Sequence, residues 1–252
     1  MFRRDFISIF LVILLSVLSA AEFPSDLKKC KSDDSDCHKE VLQEVIDKFH
    51  KKGHRSLNLI AFDPLEVKSL VLPKVAGSPV NIELKFVDIV LTGISKVKLH
   101  KLSGLKEDGK NKYIYEVEAS FPKIELNGPY SVNGQVLVLP ITGKGNSKII
   151  FENVAAKIKG KCSLVERDGK MYLNVDKIHI DLEPKSTHFD FANLFNGDKA
   201  LGENMNKFLN ENWVEVYKEL KPVISEAIGK ILLTIANGVY SKHAYADIFL
   251  PA

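Results

Sequence analysis

Two histidines, His50 and His54, have the four-residue spacing that places two imidazoles on one face of a helix, as a metal site would require. They stand in the basic segment KFHKKGHR, which contains no carboxylate, and the glycine between them ends the predicted helix. Metal ligands in proteins are oriented by hydrogen-bonding partners, often carboxylates. We therefore do not interpret this pair as a metal site.

The sequence contains none of the common catalytic motifs. It has no G-x-S-x-G elbow, no H-E-x-x-H pair, no P-loop and no G-x-G-x-x-G after a predicted strand. Its seven histidines are dispersed, and His179 falls in an alternating strand pattern that directs it towards solvent. The pattern brings no nucleophile, base and orienting group together, so we predict neither enzymatic activity nor a cofactor.

The first 21 residues have the pattern of a secretory signal peptide. Arg3 and Arg4 give a positive start, an apolar run extends from Phe6 to Leu18, and Ser19-Ala20-Ala21 offers small residues for cleavage after Ala21. We predict a signal peptide over residues 1–21 and a single secreted, extracellular domain over residues 22–252.

Composition and charge exclude several classes of partner. The chain is 45% hydrophobic and 27% charged, as in globular proteins, and its net charge is +3. The lysines are spread along the chain, so the sequence does not indicate a nucleic-acid-binding surface. After the signal peptide, no stretch looks long and apolar enough to cross a membrane. We therefore predict a soluble protein without stable membrane insertion.

Secretion makes the cysteines informative. Cys30 and Cys37 lie close together in a polar segment, and an oxidising compartment favours a disulfide between them. A loop this short constrains the unfolded chain only modestly, so we expect the bridge mainly to hold the N-terminal segment in place. We interpret Cys162 as a buried free thiol, with an intermolecular bridge as the alternative. The spacing of the cysteines does not suit a zinc site.

From Val80 to His188, apolar and polar residues alternate as in long half-buried strands. The alternation slips at Val87, which predicts a bulge or bend. Before these strands the pattern predicts a short helix that Gly53 ends and a short strand after Pro64. Such strands form an antiparallel sheet with one apolar and one solvated face. Turns or bends are predicted at Asp108-Gly109, Asn133-Gly134, Gly143-Lys144-Gly145 and Asp168-Gly169.

One long helical pattern follows, from Leu201 to about Tyr240, and beyond Pro222 it is apolar around much of its circumference. We interpret Pro222 as a kink or as a break that opens a second segment, and Asn237-Gly238 as the helix end. The helix is the large element left to fill the concave side of a curled sheet. The predicted fold is α+β, a curved antiparallel meander around one long C-terminal helix. A tunnel forms wherever the sheet and the helix do not fill each other.

Four features, spread over nearly the whole mature chain, carry a resemblance. The first is the signal peptide followed by Cys30 and Cys37, and the second is the segment FDPL at residues 62–65. The third is the set of segments LFNGD at 194–198, LNENW at 209–213 and ELKP at 219–222. The fourth is the tail DIFLP at 247–251. With these features the chain resembles the insect takeout and juvenile-hormone-binding-protein family. It is closer to the takeout branch, because Cys162 has no obvious partner for the second disulfide typical of the hormone-binding branch.

The resemblance implies the tubular lipid-binding superfold, a highly curved sheet rolled around a long C-terminal helix. It also implies an extracellular carrier of a small hydrophobic ligand, such as a terpenoid or fatty acid, with links to feeding, chemosensation and circadian output. We expect a monomer, and the sequence does not identify a receptor.

Alternation and helical position select a set of candidates for the tunnel lining. Each of them is alternatively a plain core residue. Tyr115, Trp213 and Tyr217 are the strongest because each combines an apolar ring with a polar tip. The candidates are Phe86, Leu99, Tyr115, Val117, Val136, Val138, Phe151, Trp213, Tyr217, Ile224, Ile228 and Ile231.

Three functions stay open from the sequence. The first is a soluble lipid carrier. The second is a secreted interaction factor that docks on a receptor or membrane, with the tunnel in a structural role. Exchangeable bound lipid favours the first, and a solidly packed interior favours the second. A third function, a hydrolase with an unrecognised site, would require turnover of an ester substrate.

Overall fold

The computed structural model describes residues 23–107 and 112–251, so the predicted signal peptide and the predicted Asp108-Gly109 turn lie outside the described residues. The elements in chain order are β1 (Cys30–Lys31), α1 (Ser35–Phe49), β2 (Leu65–Leu72), β3 (Val80–Thr92), β4 (Lys98–Leu102), β5 (Lys106–Glu107), β6 (Lys112–Val136), β7 (Leu139–Arg167), β8 (Lys170–Glu183), β9 (Ser186–Phe191), α2 (Lys199–Glu211), α3 (Trp213–Tyr240), α4 (Tyr245–Ile248) and β10 (Phe249–Leu250).

A large curved antiparallel sheet forms most of the molecule, as predicted. Its strand order is β2-β3-β6-β7-β8, with β4 and β5 also paired to β6 and β9 paired to β7. β6 and β7 pair from Lys112 with Ser163 to Val136 with Leu139. A strand of 25 residues such as β6 would be about 80 Å long if it were straight. Strands this long twist and coil, and the coiled sheet gives the molecule an elongated form with two ends.

Three turns test the sequence pattern. The slip at Val87 is confirmed by a register shift between Phe86 and Val90. The hairpin turn at Asp168-Gly169 is also confirmed, with φ of 51° and 72° at its two residues. The turn predicted at residues 143–145 is wrong, because this segment pairs with β6 inside β7. The chain reverses earlier, at Leu137-Val138, so the two strands predicted on either side of residues 122–129 are one strand, β6.

The long C-terminal helical pattern divides at Asn212 and not at Pro222. Asn212 has φ −111° and ψ 26°, and its side-chain Nδ2 donates to the carbonyl of Phe208 at 2.8 Å, which ends α2. Pro222 lies inside α3 on its exposed side. The carbonyl that Pro222 leaves without a helical partner belongs to Lys218, which is also exposed, so water can satisfy it. α3 then continues past the predicted end at Asn237-Gly238 to Tyr240.

Three asparagines on the C-terminal helices cover strand edges. Asn206 exchanges two hydrogen bonds with the backbone of Phe191, at 3.0 Å each. Asn210 does the same with Phe189, at 2.7 and 2.8 Å. Asn237 does the same with Val175 on β8, at 2.8 Å each. Each side-chain amide replaces a missing neighbouring strand, so the unpaired backbone groups of an edge are satisfied.

The two ends of the described chain meet at one end of the molecule, here called the disulfide end. β1 pairs in parallel with β10, placing Cys30 beside Phe249. Cys30 and Cys37 form the predicted disulfide. Leu105, just before β5, donates its backbone N–H to the carbonyl of Ser32 at 2.7 Å. The opposite end, here called the hairpin end, contains the Leu137-Val138 turn.

Glu125 on β6 allows a test of surface electrostatics. Hydrogen bonds from Lys123 and Asn127 lower the pKa of Glu125 to about 2, against an ordinary value of 4.5. Because the folded pKa lies below the unfolded one, the carboxylate stabilises the fold above about pH 4.5, and this contribution is lost as the pH falls towards 2. We expect Glu125→Gln to lower the free energy of unfolding at pH 7 by about 1 kcal/mol after solvent screening.

Urea unfolding at pH 7 and at pH 2.5 measures this effect. The difference between wild type and Glu125→Gln should shrink at the lower pH. The matched control is Glu166→Gln, which changes an exposed carboxylate on β7 and should leave stability unchanged at both pH values. A difference for Glu125→Gln that is equal at both pH values would contradict the electrostatic explanation.

Candidate ligand-binding interior

The contacts between α3 and β8 set the geometry of the interior. Gly229 is buried in α3, and a Cβ atom built on it would lie 3.0 Å from the carbonyl oxygen of Ile178. Glycine therefore allows the helix backbone to approach the strand closely at this point. Nearer the start of α3, the Tyr217 hydroxyl donates to the carbonyl of Leu182 at 2.8 Å. These contacts hold one side of the helix against β8 and leave its other apolar residues to face the rest of the sheet.

The buried apolar side chains form four separate clusters among the described residues. A well-packed domain usually has one contiguous core with small satellites. Here Phe151 packs against two of the clusters, and Phe121 also packs against two. Both bridging phenylalanines are only half-buried. The side chains that join the clusters therefore keep accessible surface.

Half-buried apolar residues also line α3 along its length. Beyond Leu220 the one fully buried residue of this helix is Gly229. The apolar side chains around Gly229 pack on the clusters of the sheet but stay only half-buried. From α3 these are Val223, Ile224, Ala227, Ile228, Leu232, Leu233 and Ala236, and from the sheet they are Tyr115, Phe121, Ile124, Phe151, Ile158 and Ile178.

The predicted lining residues fall into groups by position. Tyr115, Phe151, Ile224 and Ile228 all pack in the contact between α3 and the sheet, and Ile231 is half-buried on the same helix. Leu99 packs against a different cluster, beside α1. Phe86, Val136 and Trp213 pack in the cluster at the hairpin end, and Val117 and Tyr217 are buried at 8% and 6% exposure.

Val138 does not belong with the other candidates. It is 83% exposed in the turn between β6 and β7. The alternation argument assumed that the strand continued to Leu139, whereas the chain reverses at Leu137, which has φ 54°. We therefore remove Val138 from the candidate lining.

The polar tips of the strongest candidates have different roles. The Tyr217 hydroxyl is already bonded to a backbone carbonyl, so this tyrosine acts as a contact between helix and strand. Burial raises the pKa of the phenols of Tyr115, Tyr217 and Tyr240. The Tyr115 hydroxyl has no hydrogen-bond partner among the described residues.

Sequence reasoning missed several side chains of this interior. Phe121 and Ile158 were present in the alternating pattern and could have been selected by it. Tyr240 was not selected because the helix was predicted to end before it, at Asn237. The side chain of Asn237 in fact pairs with Val175. A helix end predicted from Asn-Gly alone cannot anticipate that the asparagine has another partner.

The comparison with protein families decides the classification. The sequence profile of the haemolymph juvenile hormone binding protein family matches residues 9–250 of this chain. The chain belongs to this family. Membership of the chain in this family agrees with the resemblance predicted from the sequence. The family is named for binding a ligand.

Individual relatives and a solved structure agree with this assignment. The chain is 29% identical over 230 residues to the circadian clock-controlled protein daywake of Drosophila melanogaster, covering 90% of this chain and 88% of that one. It is 22% identical to a putative beta-carotene-binding protein of Schistocerca gregaria, covering 82% and 80%. The crystal structure of Epiphyas postvittana Takeout 1 matches with a TM-score of 0.74 at 24% identity, covering 89% of this chain and all of that one. The fold is therefore the takeout fold.

Two other features of this family member bear on the site. An open depression on α1 is lined by charged and polar residues from Asp36 to Lys48, which does not suit an apolar ligand. α3 is long and apolar enough, by length and composition alone, to cross a membrane, which the sequence analysis did not anticipate. In the structure, hydrogen bonds from Tyr217 and Asn237 attach this helix to β8. The interior beside α3 is therefore the candidate site.

Proposed function

We propose that this protein is a secreted carrier that binds a small hydrophobic ligand, such as a terpenoid or fatty acid derivative, in an apolar tunnel between α3 and the sheet. The observation that carries the proposal is the row of half-buried apolar side chains on both sides of this contact. In a packed core such side chains would be sealed by one another. Membership of a family named for hormone binding supports the same conclusion.

The physical basis is the hydrophobic effect. A ligand that loses about 300 Å² of apolar surface to the tunnel gains about 7.5 kcal/mol. That free energy corresponds to a dissociation constant of a few micromolar, before the cost of immobilising the ligand. Binding of this kind needs neither a catalytic group nor a cofactor. We accordingly propose a binding protein without enzymatic activity.

The relatives guide the choice of ligand and setting. The locust relative is named for a long, apolar polyene, and an elongated ligand of that kind would suit a site that follows a helix of 28 residues. The Drosophila relative is named for control by the circadian clock. We extend both to this chain as proposals, namely an elongated hydrophobic ligand and clock-controlled expression.

Secretion is part of the same proposal. The predicted signal peptide, the disulfide Cys30–Cys37 and the haemolymph named in the family description all support an extracellular carrier. An extracellular protein can keep the disulfide oxidised, and a lipophilic ligand in an aqueous fluid needs a carrier.

Two measurements test the carrier proposal. Protein purified from its native fluid is extracted with organic solvent, and the extract is analysed by mass spectrometry. The same protein is titrated with diphenylhexatriene, a fluorescent hydrocarbon. A stoichiometric lipid that the probe displaces supports the carrier. Absence of both bound lipid and probe uptake would refute it and favour an interaction factor with a structural interior.

A further inference from the structure

Two neighbouring loops form the tip of the hairpin end. The first is the turn Leu137-Val138 between β6 and β7, and the second is the connection between β2 and β3 at residues 73–79. β3 pairs with β6 as far as Val80 with Val136, which brings the two loops together. The backbone N–H of Leu137 donates to the carbonyl of Pro79 at 2.7 Å. This bond fixes the two loops against each other.

The turn between β6 and β7 presents apolar side chains to solvent. Val138 is 83% exposed, and Leu139, which follows it, is 38% exposed. Among the large hydrophobic residues of the described ranges, Val138 is the most exposed. Single exposed apolar residues are common on protein surfaces and need no explanation. Two in succession at the tip of a hairpin are a different case, because they can enter an apolar surface together.

The residue types of this turn do not follow from the needs of the backbone. Leu137 has φ 54°, a value that turns normally assign to glycine, asparagine or aspartate. The hairpin between β7 and β8 has such residues, with Asp168 and Gly169 at φ 51° and 72°. Leu137 packs on the cluster at the hairpin end, which explains that residue, but Val138 is not part of this packing. The fold therefore gives no reason for valine at position 138.

Prolines lower the cost of removing the tip from water. Pro73 and Pro79 begin and end the second loop, and Pro140 follows Leu139. All three prolines are exposed. Proline has no backbone N–H, so at these positions no donor loses its hydration when the loop enters an apolar medium.

The charge of the two loops selects the chemistry of a partner. Residues 71–82 contain one charged side chain, the exposed Lys74, and residues 131–143 contain none. The carboxylate of Glu219 on α3 reaches the second loop, where it accepts the hydroxyl of Ser78 at 2.8 Å. A lysine beside an apolar tip is attracted to anionic lipid headgroups, while its aliphatic stem lies along apolar surface.

The size of the apolar tip favours a lipid surface over a second copy of the chain. A stable protein–protein interface buries about 800 Å² per partner and requires complementary shapes. Val138 and Leu139 supply only a small part of this area, since even a large aromatic side chain contributes about 150–250 Å². A bilayer needs no complementary shape, and each apolar side chain that enters it adds its own transfer free energy.

We propose that the hairpin end docks reversibly on the surface of a phospholipid bilayer that contains anionic lipid. Val138 and Leu139 enter the boundary between headgroups and acyl chains, and Lys74 contacts the anionic headgroups. The contact is peripheral, with no segment crossing the bilayer. This interaction goes beyond the carrier function proposed above and does not depend on it, because docking requires no ligand in the interior.

Flotation with lipid vesicles tests the contact. Wild type should float with vesicles of phosphatidylcholine that contain roughly one-quarter phosphatidylserine, and less with phosphatidylcholine alone. Val138→Ser should bind the mixed vesicles roughly 10-fold more weakly. Lys74→Gln should lose the part of binding that depends on phosphatidylserine. The matched control is Val165→Ser, which changes a 42% exposed valine near the opposite end of β7 and should bind as wild type does.

A gain-of-function variant gives a second measurement. Val138→Trp should bind the mixed vesicles more tightly than wild type. After subtraction of the wild-type signal from Trp213, its added fluorescence should shift to shorter wavelength when vesicles are present. Because position 138 is in solvent, both variants should unfold at the same urea concentration as wild type.

Several results would overturn the proposal. They are failure of wild type to float with the mixed vesicles, undiminished flotation of Val138→Ser, and an equal loss for Val165→Ser. Sedimentation equilibrium tests the other occupant of the tip. A wild-type dimer that Val138→Ser converts to a monomer would assign the tip to a second copy of the chain and so overturn docking on lipid.

Discussion

Replacing Ile228 with tryptophan is expected to abolish uptake of diphenylhexatriene. Ile228 is half-buried near the middle of α3 and packs on the cluster formed by Val154, Ala156, Ile180 and Leu182. If a tunnel follows the helix, the larger ring fills it at this point and the ligand chain has no room. The added volume then occupies existing space, so the free energy of unfolding should fall by no more than about 1–2 kcal/mol.

Fluorescence titration and urea unfolding of the same preparations separate the possible outcomes. Val214→Trp is the matched control, because Val214 lies on the same helix but is 52% exposed. It should bind the probe as wild type does. Undiminished binding by Ile228→Trp would rule out a tunnel at this position. A loss of stability well above 3 kcal/mol would indicate a solid core there, which is the arrangement that favours the interaction-factor alternative.

The largest loss of stability is expected for the double substitution Asn206→Ala/Asn210→Ala. Each asparagine exchanges two hydrogen bonds with one residue of β9, and alanine leaves the N–H and C=O groups of Phe189 and Phe191 without these partners. A part-buried backbone group left unpaired costs about 1–3 kcal/mol. With allowance for water reaching some of the groups, we expect a total loss of about 3–6 kcal/mol.

Urea unfolding at pH 7 measures this loss, and two further variants interpret it. Asn204→Ala, on the exposed side of α2, should change stability by less than about 0.5 kcal/mol. Asn210→Asp keeps an acceptor for the N–H of Phe189 but removes the donor to its carbonyl, so its loss should be intermediate. A double variant as stable as Asn204→Ala would show that β9 does not need the side-chain amides at its edge.

The parts of the fold that follow from local periodicity could be predicted. The alternation from Val80 onwards gave the sheet and even its bulge near Asp88, because a period of two can be recognised without knowledge of neighbouring strands. The division of the C-terminal helix could not be predicted in this way. Pro222 is the stronger helix breaker in the sequence, but the break occurs at Asn212, where a side chain caps α2, and that cap depends on a local geometry that a sequence pattern does not contain.

Polar residues near the sheet show a second limit of sequence reasoning. Asn206 and Asn210 belong to the polar side of the helical pattern, which suggests contact with water. The structure instead places their amides against the backbone of β9. Hydrophobic periodicity identifies a face that avoids water, but it cannot distinguish a polar face that meets solvent from one that meets a strand edge. The same limit applies to the interior, because periodicity identifies apolar residues without showing whether they fill the space between them.

The position of α3 after the sheet strands in the sequence determines the order in which these elements can form during synthesis. Every strand of the large sheet precedes Trp213, so a ribosome releases the apolar face of the sheet before the helix that covers it. Pairing of β1 with β10 must wait still longer, because it joins residue 30 to residue 249. Such long-range closure is slow, and exposed apolar sheets aggregate. We therefore expect nascent chains to need protection by chaperones until the segment from Trp213 to Leu250 has emerged.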